Sequence, residues 1–156
     1  MDRSKEIGFV IHVVTRENGD KELCAKLNVL TNTCFQRMAS HHATAAPGNT
    51  LFTHMSYGTG ITLAESANNV ALETEIHRKE FDNVFASGAT LFGDVTLLAT
   101  EIGVDSYDIS EVGLWDASAG GNLLARQLLY DEDDDGTISN FTGADRIDTL
   151  WGIINQ

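Results

Sequence analysis

The stretch ISEVGLWDASAGGNLLARQLL, Ile109 to Leu129, decides the fold class. Its apolar residues fall in two short runs, Ile109–Trp115 and Asn122–Leu129, separated by Asp116–Gly121. Asp, Ser, Ala and the paired Gly120-Gly121 supply the local hydrogen bonds and positive φ angles that a tight turn needs. The stretch reads as a β-hairpin.

The same grammar extends in both directions. Gly8–Thr15, GFVIHVVT, is apolar and β-branched, the signature of a strand. Glu17–Asp20 holds the hairpin dipeptide Asn18-Gly19, and Leu23–Val29 is the return strand. Thr31 is placed to cap a short helix, on which Phe35, Met38 and Ala39 recur at helical spacing. Further strands are expected at Leu51–Tyr57, Glu75–Phe85, Thr90–Thr100 and Asp148–Asn155, with loops at His41–Asn49 and Ile61–Val70. The prediction is a mainly β chain: an antiparallel β-sandwich of about eight strands with one short helix near residues 31–42. No linker or internal repeat divides it, so residues 1–156 form a single domain. Within it, 1–50 give the N-terminal hairpin and helix, and 51–156 the sandwich body.

Charge is the second signal. Ten Lys and Arg oppose 23 Asp and Glu, a formal net charge of −13, and lysine occurs only at 5, 21, 26 and 79. No basic patch exists to neutralise phosphates, which argues against a nucleic-acid partner. Two readings of the acidity stay open: an ordinary acidic protein, or adaptation to molar salt, where repulsion is screened and a dense carboxylate surface keeps the chain soluble. Scarce lysine beside abundant aspartate favours the second, and with it a halophilic setting. No apolar run approaches a membrane span, and the first residues read as a strand rather than a signal peptide. Cys24 and Cys34 read as small hydrophobes.

Few residues suggest chemistry. Gly58-Thr59-Gly60 lacks the third glycine and following helix of a dinucleotide site. The five histidines, at 12, 41, 42, 54 and 77, show no zinc spacing. No catalytic triad or dyad stands out, so no enzyme is expected. Glu75 with Arg78 reads as a surface or edge ion pair, and Glu111 with Arg126, facing each other across the hairpin, as a cross-strand pair; both roles are structural. The segment Asp131–Ile138, DEDDDGTI, fits the first eight positions of a calcium loop. Asp131, Asp133 and Asp135 would converge on the cation, and Thr137 would add its carbonyl. Thr142 stands where the bidentate Glu of such a loop belongs, so a solvated acidic turn is the competing reading.

Five blocks in order carry a family resemblance. Asn28, Thr31 and Asn32 fit "N-L-I-T-N"; Gly58, Thr59 and Gly60 fit "G-T-G"; Leu72, Glu75 and Arg78 fit "A-L-x-x-E-x-x-R". Glu111, Gly113, Leu114, Asp116, Leu123, Leu124, Ala125 and Arg126 fit "E-x-G-L-F-D-x-x-G-x-L-L-A-R", and Trp151 with Ile153 fits a closing "W-x-I". Together the blocks resemble the tail-fibre, tail-collar and minor structural proteins of tailed phages. Trp115 replaces the usual Phe, and Cys34 or Phe35 stands in place of Gly-Leu. The resemblance implies a virion structural protein of a tailed virus. Such a part would belong to a tail appendage, baseplate, fibre adaptor or head-vertex projection. It would assemble with copies of itself and with neighbouring virion proteins. Unpaired edges of Gly8–Thr15 and Asp148–Asn155 are the expected contact elements. The alternative is a receptor-binding module at the host surface, dependent on glycan or calcium, with Tyr57, Tyr107 and Trp115 as the aromatics to present.

Overall fold

The structure, a computed structural model, describes residues 7–44, 51–129 and 136–154. The chain is mainly β. Its elements in order are β1 (Ile7–Thr15), β2 (Lys21–Leu30), α1 (Asn32–Thr44), β3 (His54–Gly58), β4 (Glu75–Glu80), β5 (Asn83–Ser87), β6 (Thr90–Leu98), α2 (Ala99–Ile102), β7 (Tyr107–Ile109), β8 (Glu111–Trp115), β9 (Leu123–Leu128), β10 (Ile138–Phe141) and β11 (Arg146–Ile154). Nine strands form one curled antiparallel sheet in the order β4-β3-β8-β9-β2-β1-β11-β6-β5, while β7 and β10 make a second small sheet.

Two local devices begin the sheet. At the β1–β2 turn Gly19 adopts φ 91°, and the Asn18 side chain accepts the Asp20 amide at 2.9 Å. At the start of α1 the Thr31 hydroxyl accepts the Cys34 amide at 3.1 Å, which is the expected cap. The same hydroxyl donates to the Leu123 carbonyl at 2.6 Å, tying the cap to β9.

The long strand β2 turns the corner of the sheet. Residues 21–28 pair with β1, whereas Val29 and Leu30 pair with Arg126 and Ala125 of β9. One half of the sheet is therefore β4-β3-β8-β9, the other β2-β1-β11-β6-β5, and they enclose a common core. In the core, β1 alternates strictly: Val10, His12 and Val14 point inward. His12 Nδ1 lies 2.8 Å from Thr149 Oγ1 on β11, and the Tyr57 hydroxyl of β3 reaches the same oxygen at 3.5 Å. Burial pushes the His12 imidazole down to about 3 and raises the Tyr57 phenol.

Several elements differ from the sequence-based expectation. Glu75–Phe85 is two strands at opposite ends of the sheet order. The backbone changes partner within two residues: the Phe81 amide donates to Thr53 O at 3.0 Å, and the Asp82 amide to Asp94 O at 2.8 Å. Phe81 is buried against Phe52, ring centroids 5.3 Å apart, and anchors the change. Thr90–Thr100 stops as a strand at Leu98, where α2 begins. Ile109 belongs to β7, separated from β8 by Ser110. That residue gives its amide to Gly58 and its carbonyl to the Leu129 amide. The described residues thus hold eleven strands and two helices. The expected contact edges at Gly8–Thr15 and Asp148–Asn155 require correction. β1 is paired on both sides, by β2 and β11, and β11 is paired by β1 and β6. Neither offers an edge, because these two strands are neighbours in the middle of their half.

Candidate functional site

Several residues of the sequence resemblance, from separate blocks, meet at a polar clamp and the hairpin turn beside it. Glu111 opens β8 and Arg126 lies on β9, with both side chains fully buried. The register sets Glu111 opposite Leu128 and Gly113 opposite Arg126, so the pair is diagonal rather than directly opposed as expected. Arg126 Nη2 and Nε donate to Glu111 Oε2 at 2.8 and 3.0 Å. The carboxylate also accepts the amides of Gly60 at 3.2 Å, Glu73 at 3.1 Å and Thr74 at 2.7 Å. Arg126 Nη1 donates to Leu63 O at 2.7 Å.

These bonds fold residues 59–74 over the outer side of β8 and β9. Leu72 then packs with Trp115 and Leu123 in a second apolar cluster. Glycine is required at the crossing: a Cβ on Gly58 or Gly60 would lie 2.7 or 2.6 Å from Glu111 Oε1. Glu73 organises the loop from within by accepting the amides of Thr62 and Leu63 at 2.9 and 2.8 Å. It also accepts the Thr62 hydroxyl, and that bond leads the causes that lower the Glu73 carboxyl. Five donors occupy the two oxygens of Glu111, and together they hold the loop against the sheet.

The hairpin turn is held by a second group. The Arg78 guanidinium stacks on the Trp115 ring, 3.6 Å from the centroid. It also pairs with Glu75 at 2.8 Å and donates to the carbonyls of Ala117 and Gly120. Asp116 accepts the Asn122 amide at 2.7 Å and pairs with Arg37 of α1 at 2.8 Å. Arg78 is therefore mostly buried and takes part in the turn, more than the surface ion pair expected from the sequence. Trp115 is buried too, its indole N–H donating to Ser56 at 2.7 Å. Of the three aromatics considered for a surface role, Tyr57 and Trp115 lie in the interior and Tyr107 is half-buried. Asp131, Asp133 and Asp135 lie outside the described residues, and Thr137 is half-buried beside β2. Among the described residues no group of three His, Cys, Asp or Glu side chains is placed to hold a metal.

The other half of the sheet presents a different surface. On β1 the residues between the inward ones, Phe9, Ile11 and Val13, are apolar as well. Cross-strand pairing extends them into rows: Leu27, Phe9, Gly152, Phe92 and Phe85 form one, and Leu23 and Val13 stand at the head of another. Gly152 lets the Phe9 ring lie across β11, since a Cβ there would sit 2.2 Å from Phe9 Cζ. Phe92 meets Phe9 edge-on at 6.1 Å and stacks on Phe85 at 5.2 Å. Leu23 and Leu27 are each 72% exposed and Phe85 is 45% exposed. Among the described residues nothing covers this largely apolar face, which is the feature that sequence reasoning missed. The signal was present in GFVIHVVT, which is apolar on both strand faces. No family model, curated protein or solved structure matches the chain.

Proposed function

We propose that the chain is a virion structural protein of a tailed virus, a self-assembling part of a tail appendage, baseplate, fibre adaptor or head-vertex projection. The observation that supports this reading is the convergence of the resemblance. Gly58, Gly60, Leu72, Glu75, Arg78, Glu111, Asp116 and Arg126 come from separate sequence blocks. They meet in one clamp and turn, so the pattern has a common physical cause. A mainly β chain with an uncovered apolar sheet face suits a part that works by docking.

The partners are copies of itself and neighbouring virion proteins, and the place is the virion. A net charge of −13 opposes binding to nucleic acid and fits assembly in concentrated salt. Negative-stain imaging of virions labelled with an antibody to this chain tests the reading. Label at one fixed position on the particle is expected. Unlabelled particles from cells that contain the protein would overturn it.

A further inference from the structure

We propose that the outer face of β2-β1-β11-β6-β5 is the contact surface for a second copy of this chain, packed face to face about a two-fold axis. The proposal deepens the self-assembly part of the reading above and rests on it.

The size of the face suits a second copy. Four strands with about eight residues each in the face and the five-residue β5, about 4.8 Å apart and rising about 3.3 Å per residue, cover roughly 600 Å² in flat projection. Corrugation by side chains raises the accessible area toward the ~800 Å² per partner of a standard interface. Polar residues such as Thr15, Thr90, Thr96, Asn83 and Ser87 share the face, but the apolar row from Leu27 to Phe85 runs across all five strands, and solitary proteins rarely leave large apolar patches uncovered.

Charge points the same way. Among the described residues the acids on this face are Asp94 and Asp148, and its bases are Lys21 and Arg146, so two charges of each sign cancel. Asp148 is satisfied by Thr96 Oγ1 at 2.8 Å and by Arg146 at 2.9 Å, and Asp94 by Asn83 at 2.9 Å. A chain of net charge −13 repels its own copies almost everywhere. A neutral, apolar face is where two such chains meet at least electrostatic cost. A basic partner would find no attraction there.

Shape is compatible with this. Between Ile11, Val13, Thr96 and Leu150 the face dips into an open hollow of about 360 Å³, which Asp94 and Asp148 also line. Its apolar side, at Ile11, Val13 and Leu150, can take a side chain projecting from the opposing copy. Two such faces can approach to about 10 Å, the spacing of sheets in a sandwich. A surface that meets itself about a two-fold axis closes at two copies, so any larger ring would be built from pairs.

Sedimentation of the full chain in about 2 M KCl tests the proposal, because salt at that level screens the net charge. The wild type is expected to be a dimer. The double variant Leu23→Lys with Leu27→Lys is expected to be a folded monomer, its association weakened roughly 100-fold or more. These substitutions make the chain as a whole less acidic, so a loss reports on this face and not on overall repulsion. A matched control, Val70→Lys with Val104→Lys, changes residues 77% and 98% exposed elsewhere and should leave the dimer intact. Circular dichroism and thermal melting confirm that each variant is folded. A double variant that still dimerises would overturn the assignment of this face while leaving self-assembly standing. A wild type that stays monomeric would overturn both. The virion reading is judged separately, by antibody labelling.

Discussion

The two halves of the sheet are built from similar strands but solve burial differently. In β8 all five residues are buried, because residues 59–74 cover the side turned away from the core. In β1 inward residues are buried and outward ones only half-buried, although both sets are mostly apolar. The difference lies in who supplies the cover. The β8–β9 half holds its own loop in place with a buried Glu–Arg pair. Among the described residues the outer face of the β1–β11 half holds the exposed Arg146–Asp148 pair, no buried one, and it leaves apolar rows for something else to meet. A buried ion pair gains little over apolar packing, so its use here is to fix the position of a segment that has few apolar anchors of its own.

Breaking the clamp should have the largest effect. Glu111→Leu strands the buried Arg126 guanidinium and the amides of Gly60, Glu73 and Thr74. A loss of about 3–5 kcal/mol is expected in urea unfolding. Adding Arg126→Leu should recover part of that loss. A single-variant cost under about 1 kcal/mol would mean that the loop is held by other contacts. Next comes a direct contrast between the halves. Leu72→Ala, under the loop, should cost about 2–3 kcal/mol. Leu27→Ala, on the open face, should stay within about 0.5 kcal/mol when measured on the monomer. Similar costs at both sites would erase the distinction between covered and open.

The third prediction concerns the core that the halves share. Folded, His12 stays neutral down to about pH 3, whereas unfolded it takes a proton near its ordinary value of 6.5. Between those values the unfolded state binds more protons, so stability rises with pH. This contribution is fully present above about 6.5 and is lost as pH falls toward 3. Its slope approaches ~1.4 kcal/mol per pH unit. From pH 6.5 to 4.5 the wild type should lose about 2 kcal/mol more than a His12→Val variant does. Parallel curves for the two proteins would show that His12 does not set the acid limit. The smallest effect expected is a gradual rise in Tm from about 0.1 to 2 M KCl, as charge repulsion is screened. A flat Tm over that range would count against a high-salt setting.

Much of the architecture was legible in the sequence, but unevenly. Asn18-Gly19, Thr31 and Gly120-Gly121 act through the backbone within a few residues, and each stands where it was expected. The break at Phe81–Asp82 was hidden, because both flanking runs look extended and only a change of partner separates them. Strands of three or four residues, such as β7 and β10, are too short to show a period. The Glu111–Arg126 pair could be suspected, since both lie on one hairpin. Its bonds to residues 60, 73 and 74 could not, because nothing local joins them. The open face illustrates the same limit. Two-sided apolarity in GFVIHVVT gives the chemistry of both surfaces, and only the sheet order shows which one the chain covers.

The pairing of β1 with β11 also has a consequence in time. Thr15 meets Arg146, and Ile7 meets Ile154, so this ladder joins segments about 130 residues or more apart. At a ribosome adding about 5–20 residues per second, β1 is finished roughly 7 to 28 seconds before its second partner is complete. During that wait it has the β2 hairpin beside it and apolar side chains on both faces. For this chain, synthesis is the period of greatest exposure to aggregation, and a chaperone that holds the first hairpin should raise the yield of folded protein more than one that acts after release.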